Sequence, residues 1–257
     1  MNILVLGDVV SEAGCEFLRK KLPSLKKLKG IDFCIANGEN SATGNGITPF
    51  SAEYLFSSGV DFITTGNHVF RRKEVYDLLD ESEFIIRPMN YHSSCPGKGY
   101  AVIDMGRYSV GILNLAGSIY LDKCSCPFEC ADKAIEEMKK QTNVILVDFH
   151  AEATSEKKAL GFYLDGKVSA LFGTHTHVQT NDAMVLSKGT GYITDVGMCG
   201  VIESVLGVDK DIVIDKFRRG MPVRFDPAAG ECMINGCIFT IDEKTGRCTA
   251  TEIINLM

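Results

Sequence analysis

Long apolar segments are absent from this sequence of 257 residues. No run approaches the ~18 consecutive apolar residues that a membrane-spanning helix needs, so a transmembrane protein is not expected. The amino terminus has no basic region before its apolar run, and that run, Ile3 to Leu6, is too short for a signal peptide. We therefore expect a cytoplasmic protein with no membrane partner.

A basic stripe, an internal repeat and a low-complexity tract are also absent. The net charge is −6 and the isoelectric point about 5.4, which makes duplex nucleic acid and anionic membranes poor partners. The acidity does not exclude an anionic substrate, because bound divalent ions would reverse the sign of the electrostatic field locally.

The length and the 45% hydrophobic content predict one large α/β domain over residues 1–257. Strand-like apolar runs alternate with helical spacing through most of the chain, and a hairpin pattern covers residues 232–254. The main apolar runs are Asn2–Leu6, Ile31–Ala36, Val60–Thr64, Val144–Phe149 and Val168–Phe172. This order predicts an α/β sandwich of mixed sheets with helices outside. The charged stretch Leu206–Gly230 is expected to be a surface excursion, either a lid or an oligomer contact.

Cysteine is frequent, with ten residues, and Cys124, Cys126 and Cys130 form a C-x-C-x3-C cluster. One interpretation is a zinc or redox site; the other, which we favour, is a set of reduced thiols. No fourth ligand lies nearby in the sequence, and a cytosolic domain of this size does not need disulfides. The remaining cysteines are expected to be small, mostly buried hydrophobic residues.

Potential metal ligands follow the apolar runs. They are Asp8, Glu39, Asn40, Asn67, His68, His150, His175 and His177. Open α/β sheets bind ligands at the carboxyl ends of their strands, so these side chains are expected to converge. A lone Asp after a strand is commonly a turn residue, and a lone H-x-H is a weak motif, but their joint occurrence is hard to explain structurally. In an extended segment, His175 and His177 would point to one face.

These residue types suit a pair of hard-to-borderline divalent ions, and the sequence therefore points to a two-metal hydrolase. Four motifs then resemble the calcineurin-like metallophosphoesterases, and among them the YmdB-like family of bacterial 2′,3′-cyclic-nucleotide 2′-phosphodiesterases. The motifs are Asp8-Val-Val10, Asn37-Gly-Glu-Asn40, Thr65-Gly-Asn-His-Val69 and Gly173-Thr-His-Thr-His-Val-Gln-Thr180. The resemblance runs from Met1 to about Phe239. Val10, Glu39 and Val69 depart from the wider pattern, which has His, Asp and an acid at those places.

The resemblance implies a metallophosphoesterase-type sandwich of two mixed sheets flanked by helices, often in a dimer or tetramer. It also implies two iron or manganese ions, with zinc or magnesium as further options. Asp8, Asn40 and His177 would hold the first ion, and Glu39 would bridge both. Asn67, His150 and His175 would hold the second. His68 would not bind metal but would protonate the leaving oxygen.

The implied activity is hydrolysis of 2′,3′-cyclic, or also 3′,5′-cyclic, nucleotides or similar small phosphodiesters. Two divalent ions ~3.5–4 Å apart can bind two phosphoryl oxygens and share a hydroxide nucleophile. A histidine acting as general acid adds ~10²–10⁴-fold to the rate. A phosphomonoesterase or nuclease on the same core stays open, as does a regulator whose metal site controls partner binding through Asp209–Arg219.

Several neighbouring residues have two open interpretations. The Gly44-Asn45-Gly46 loop either presents N–H groups to phosphate or is a flexible turn. Arg71-Arg72-Lys73 either attracts a phosphate or starts a solvated helix. Glu152 and Thr154 either orient His150 or cap the next helix. The fifth histidine, His92, is expected at the surface.

Overall fold

A computed structural model describes residues 1–121 and 124–257. Over these residues the chain forms twelve strands and six α-helices. The strands are β1 (Asn2–Val9), β2 (Phe33–Asn37), β3 (Phe62–Thr64), β4 (Tyr100–Asp104), β5 (Ser109–Ala116), β6 (Val144–His150), β7 (Ala170–Thr174), β8 (Met184–Val185), β9 (Gly191–Ile193), β10 (Met198–Val201), β11 (Cys232–Ile241) and β12 (Cys248–Leu256). The helices are α1 (Ser11–Lys29), α2 (Pro49–Ser57), α3 (Tyr76–Glu81), α4 (Pro127–Met138), α5 (Thr154–Leu164) and α6 (Lys210–Arg219).

The strands form two mixed sheets of six strands each. The first has the order β12-β11-β10-β1-β2-β3, in which β10, β1, β2 and β3 run parallel and β11 runs antiparallel to β10, β1 and β12. The second has the order β4-β5-β6-β7-β9-β8, with parallel strands in the middle and antiparallel strands at both edges. The parallel strands of both sheets carry the predicted metal ligands.

The two sheets pack face to face, and helices cover their outer faces. Buried residues of both sheets form the central core, among them Ile3, Phe33, Ile112, Leu146 and Phe239. A second apolar cluster joins the first sheet to α1 and α2, and a third joins the second sheet to α4 and α5. The predicted α/β sandwich with two mixed sheets and outer helices is confirmed.

The residues Thr48-Pro49 predict the start of a helix, and α2 begins there. Pro49 occupies the first helical position, where its missing N–H costs nothing. Ser51 N–H donates to Thr48 Oγ1 at 3.2 Å, and Thr48 N–H donates to Ser51 Oγ at 3.0 Å. This reciprocal capping box fixes the end of the loop that follows Glu39 and Asn40.

Some element boundaries differ from those predicted. Strand β1 continues past Leu6, so Asp8 lies within the strand, and the register against β2 shifts between Leu6 and Asp8. The helical spacing of the sequence covers Ser11 to Lys21, but helix α1 runs on to Lys29 with Pro23 inside it. The apolar residues Phe84-Ile-Ile86 predict a short strand before Pro88, but they contribute only an isolated bridge from Ile85 to Ile63.

The sequence did not predict β10 or α6. Strand β10 has four residues, including Gly200, and carries no strong strand pattern. Helix α6 lies within the predicted excursion, and of its residues only Val213 is buried, while the apolar Ile214 and Phe217 are exposed. Its start is set by Asp209, whose Oδ1 accepts hydrogen bonds from Asp211 N–H at 2.9 Å and Ile212 N–H at 3.1 Å.

The cysteines lie mostly in the interior and form no disulfide within the described ranges. Of the seven scattered cysteines, five are buried, as expected, and Cys95 and Cys232 are half-buried. Cys126 is exposed, while Cys124 and Cys130 are half-buried. No helix in the described part of the chain is long and apolar enough to cross a bilayer.

Candidate active site

Side chains from both sheets meet at the carboxyl ends of five parallel strands. Each of the eight predicted residues has a polar contact of 4.0 Å or less within the group, which consists of Asp8, Glu39, Asn40, Asn67, His68, His150, His175 and His177. The expected convergence at strand ends is therefore observed. We call this group the strand-end cluster.

Glu39 is at the centre of the cluster and is buried. Its Oε1 lies 3.3 Å from His150 Nε2 and 3.2 Å from His68 Nδ1. Its Oε2 accepts a hydrogen bond from the His68 backbone N–H at 2.8 Å. Both carboxylate oxygens therefore face groups from other strand ends.

His150 ends β6 and is fully buried. Its Nε2 lies 2.9 Å from Asn67 Oδ1 and 3.1 Å from His175 Nδ1. The two imidazoles thus turn nitrogens toward each other, and only one of those nitrogens can carry a proton between them. Glu39, His150 and His175 each offer a ligand atom, and these atoms all lie within 4.8 Å of one another.

Asp8 and His177 form the other side of the cluster. Asp8 Oδ1 lies 3.7 Å from His177 Nε2, while Asp8 Oδ2 accepts a hydrogen bond from His175 N–H at 2.9 Å. His177 Nδ1 is 3.0 Å from the Leu206 carbonyl, which accepts the Nδ1–H proton and leaves the Nε2 lone pair facing the cluster.

Asn40 lies between the two sides. Its Nδ2 donates to Glu39 Oε1 at 3.0 Å and lies 3.3 Å from His177 Nε2, and its Oδ1 is 3.0 Å from His68 Nδ1. A carboxamide is nearly symmetric in shape, so rotation by half a turn exchanges its oxygen and nitrogen positions.

The His175 and His177 segment is not extended, and the expectation that an extended backbone aligns them is wrong. His175 has φ +96 and His177 has φ +62, which is the left-handed region that bulky residues rarely adopt. The two side chains reach the cluster because the backbone turns after β7. Such strain persists only where surrounding contacts enforce it.

The charges in the cluster shift several pKa values. Burial opposes protonation of His150, but the attraction of Glu39 and Asp8 outweighs it and raises its pKa to about 9. Burial, followed by repulsion from His150, lowers the pKa of His175 to about 3. Burial alone would raise the pKa of Glu39, yet His150 and His68 hold it well below its usual range. Burial raises the pKa of Asp8.

These residues fit divalent cations. Asp8 Oδ1 is buried and has no hydrogen-bond partner, which is costly for a carboxylate oxygen unless a cation neutralises it. The same two carboxylates that raise the pKa of His150 create a demand for positive charge, which a metal ion meets while leaving the imidazoles neutral, as ligation requires. Mixed imidazole, carboxylate and carboxamide groups favour borderline first-row ions over Ca²⁺.

A buried polar network beneath the cluster was missed by the sequence analysis. His150 Nδ1 lies 2.9 Å from Thr174 Oγ1 and 3.3 Å from Asn37 Nδ2. Thr174 Oγ1 donates to Asp148 Oδ1 at 2.7 Å, and Asn37 Nδ2 donates to Asp148 Oδ2 at 3.2 Å. Asp148 is fully buried, and burial raises its pKa to about 6. The sequence does contain a sign of this network, because Asp148 is a lone acidic residue in the apolar strand that ends at His150.

The structure decides between the two interpretations for some of the residues that neighbour the predicted ligands. Glu152 contacts His175 rather than His150, with Oε2 3.1 Å from Nε2, and Thr154 is the first residue of α5. Arg72 braces the glycine loop, since it donates from Nε to Asn45 O at 3.1 Å and from Nη2 to Thr43 O. His92 is exposed, as expected.

A cavity of about 420 Å³ opens above the cluster. His68, His175 and His177 line it, together with Gly44 and Asn45. Residues 206–208 and 225–227 of the predicted excursion form another part of its wall, so this stretch belongs to the pocket and is not a detached surface loop. The pocket is large enough for a small-molecule ligand.

Comparison with known proteins extends this description over the whole chain. The family described as "YmdB-like protein" matches residues 4–254. A 2′,3′-cyclic-nucleotide 2′-phosphodiesterase of Bacillus subtilis (strain 168) is 43% identical over 254 residues, which cover 99% of this chain and 96% of the relative.

Two solved structures share the fold. A hypothetical protein from Thermus thermophilus aligns with a TM-score of 0.93 at 40% identity, covering 99% of this chain and 98% of the other. A novel phosphatase from Mycoplasma pneumoniae aligns with a TM-score of 0.94 at 35% identity, covering 100% of this chain and 93% of the other. The fold is that of the metallophosphoesterases, and the chain belongs to the YmdB-like protein family.

Proposed function

We propose that this chain is a metal-dependent phosphoric diester hydrolase whose substrates are 2′,3′-cyclic nucleotides or similar small phosphodiesters. The observation that carries the proposal is the strand-end cluster, in which the buried Asp8 Oδ1 has no hydrogen-bond partner and lies 3.7 Å from His177 Nε2 and 4.0 Å from His150 Nδ1. The activity named for the Bacillus subtilis relative supports the substrate class.

Two divalent ions, iron or manganese, complete the proposed site. Asp8, Asn40 and His177 would hold one ion, and Glu39 would bridge to the other. Asn67, His150 and His175 would hold the second. When bound, such a pair neutralises charge on the phosphoryl oxygens and activates water at neutral pH.

His68 is the proposed general acid. Its Nδ1 lies 3.2 Å from Glu39 Oε1, a contact that orients the ring. The ring lines the pocket, so Nε2 is the atom available to a substrate. The alkoxide that leaves a phosphodiester is a strong base, and a proton given to it from Nε2 lowers the barrier to P–O cleavage.

The buried network orients the proposed ligands. Thr174 Oγ1 accepts the Nδ1–H of His150, which directs Nε2 toward Glu39 and Asn67, and Asn37 supports Asp148 behind Thr174. The Leu206 carbonyl does the same for His177. Histidine ligands held in this way keep one tautomer and one ring orientation.

The first test is hydrolysis of bis-p-nitrophenyl phosphate by the purified protein with added Mn²⁺. Asn67→Ala should lower the rate by more than about 100-fold, because it removes a ligand from one ion. Asn143→Ala is the matched control, since the Asn143 side chain bonds to the Lys244 carbonyl in an exposed turn. A metal-loaded wild type that hydrolyses neither this diester nor 2′,3′-cyclic AMP would overturn the proposal.

A phosphomonoesterase is the second candidate, favoured by the solved phosphatase from Mycoplasma pneumoniae. Parallel assays with p-nitrophenyl phosphate and 2′,3′-cyclic AMP under the same metal would separate the two. A higher kcat/KM for the monoester would make the phosphomonoesterase the better-supported function. The oligomeric state and the cellular compartment stay predictions.

A further inference from the structure

The pocket above the strand-end cluster is lined by two chemically different sets of side chains. His68, His175 and His177 are polar, and the proposed function requires the phosphodiester beside them. Val10, Leu206, Val208, Phe225 and Pro227 are apolar and line the same pocket. A ligand that contacts both sets therefore carries a phosphate and an apolar group.

The apolar wall is a braced structure. Val208 forms a β-bridge with Pro227, and Asp209 N–H donates to the Asp226 carbonyl at 3.0 Å. Ala228 N–H donates to the Gly207 carbonyl at 2.9 Å. These bonds join the segment before α6 to the segment after it and hold Phe225 beside residues 206–208.

This wall is tied directly to the strand-end cluster. The carbonyl of Leu206 lies 3.0 Å from His177 Nδ1. Leu206 has φ +57, an unfavourable backbone conformation for a leucine, which the surrounding contacts must enforce. These contacts fix the position of Phe225 relative to the strand-end cluster. A side chain that determines substrate specificity needs such a fixed position.

Phe225 is the one phenylalanine, tyrosine or tryptophan among the described residues that line this pocket. Its exposure of 43% is high for a phenylalanine, so burial in the core does not explain its place. Lys216 Nζ lies 4.4 Å from the ring centroid, and Lys216 is not among the residues that line the pocket. The lysine therefore holds the ring from outside the pocket, and one aromatic face is left for a ligand.

We propose that Phe225 is a stacking platform for the base of a nucleotide whose phosphodiester lies at the strand-end cluster. The inference rests on the proposed function and adds to it the residue that would contact the base. Stacking on an aromatic ring accepts every base, since each has a flat π-face. A platform of this kind therefore selects for the presence of a base and only weakly for its identity.

The test compares Phe225→Leu with the wild type in the Mn²⁺-loaded protein. Leucine keeps apolar volume but removes the flat face. Phe217→Leu is the matched control, because Phe217 lies on α6 with 79% exposure and does not line the pocket. Phe225→Tyr is the conservative variant, since tyrosine keeps the aromatic face.

Binding is measured by calorimetry with 3′-AMP and with glycerol 2-phosphate, which carries no base. Phe225→Leu should weaken 3′-AMP binding roughly 5- to 100-fold relative to glycerol 2-phosphate, the range that the loss of one stacked base gives. Phe225→Tyr should restore the ratio, and Phe217→Leu should not change it. An equal effect on both ligands, or none, would overturn the platform.

Kinetics separate this inference from the proposed function. The ratio of kcat/KM for 2′,3′-cyclic AMP to that for glycerol 1,2-cyclic phosphate should fall in Phe225→Leu by a factor similar to that seen in binding. Selective loss of 3′-AMP binding in a protein that hydrolyses neither diester would leave the platform standing and overturn the hydrolase.

Discussion

Lys157 and Asp195 form an ion pair, Nζ to Oδ2 at 2.6 Å, in which both side chains are buried. Lys157 Nζ also donates to the Thr174 carbonyl at 2.8 Å, and Asp195 Oδ2 accepts from Thr176 N–H at 3.2 Å. The pair therefore binds the backbone on both sides of His175, whose φ is +96. Because buried ion pairs add little net stability compared with apolar packing, its main role here is to hold this strained segment in place.

Replacement of Lys157 by methionine should weaken metal binding as well as the fold. The substitution leaves the Asp195 carboxylate buried without its partner, which costs about 3–5 kcal/mol of unfolding free energy. The backbone around His175 is then free to leave the left-handed region, so the protein should retain less metal after dialysis. Thermal unfolding and the metal-to-protein ratio are measured on the same samples.

Lys158→Met is the matched control for that substitution. Lys158 pairs with Asp182 at 3.2 Å, and its side chain is about half exposed, so its loss should cost about 0–1 kcal/mol and leave the metal content unchanged. A Lys157→Met protein that is less stable but binds metal with wild-type affinity would restrict the buried pair to a purely stabilising role.

His68→Gln should separate catalysis from metal binding. Glutamine keeps a polar side chain near Asn40 and Glu39 but cannot supply the proton, so kcat should fall by about 10²–10⁴-fold. The metal-to-protein ratio should stay at the wild-type value, since His68 is not a proposed ligand. His92→Gln, at an exposed histidine, serves as the control. Loss of a metal ion in His68→Gln would contradict the assigned role.

The sequence predicted the strand-end cluster more completely than the network that supports it. The ligand-type residues follow or end apolar strands, and parallel strands bring their carboxyl ends together whatever the loops between them do. Asp148 and Asn37 are 111 positions apart, and their hydrogen bond depends on how the two sheets stack. Sequence order alone holds no information on that contact.

The same limit applies to the pocket wall. The excursion was recognised from its charges, but the short apolar run Ile212-Val-Ile214 does not distinguish a helix from a strand. The position of Phe225 depends on the bridge between Val208 and Pro227, which no local pattern encodes. The conformation of His175 and His177 was predicted wrongly because H-x-H suggests a strand, whereas contacts with Asp8 and Asp195 determine the backbone there.

Gly66→Ala should produce a folded protein that cannot bind metal. A Cβ at Gly66 would lie 2.3 Å from His150 Nε2 and 2.4 Å from Glu39 Oε2, well inside contact distance. The added methyl must displace two proposed ligands, and such overpacking costs about 1–3 kcal/mol. Circular dichroism should resemble that of the wild type, and the metal-to-protein ratio should fall.

Gly30→Ala is a useful comparison for Gly66→Ala. Gly30 ends α1 with φ +60, and nothing lies within 4 Å of a Cβ built there. Alanine at this position costs stability through its backbone alone and should leave the metal content unchanged. If Gly66→Ala bound metal as the wild type does, the close approach of Gly66 to His150 would have no part in forming the site.

Asp8→Asn should stabilise the metal-free protein while weakening metal binding. The Oδ1 atom of Asp8 is buried without a hydrogen-bond partner, and Glu39 lies in the same cluster, so the ionised carboxylate costs free energy in the absence of a cation. Asparagine removes the charge and keeps an oxygen that can accept the hydrogen bond from His175 N–H. We expect a gain of about 1–2 kcal/mol, which for a chain of this size raises the Tm of the chelated protein by roughly 2–8 °C.

With metal present, the wild type should have the higher Tm and Asp8→Asn the lower one. A ligand that binds only the native state raises Tm according to its affinity, so the increase in Tm on addition of Mn²⁺ should be smaller in Asp8→Asn than in the wild type. Asp61→Asn is the contrasting variant, because Asp61 pairs with Lys26 at 2.7 Å away from the cluster; it should lower Tm slightly with or without metal. A chelated Asp8→Asn protein less stable than the chelated wild type would mean that the carboxylate stabilises the fold itself, and the argument for a cation at Oδ1 would lose its basis.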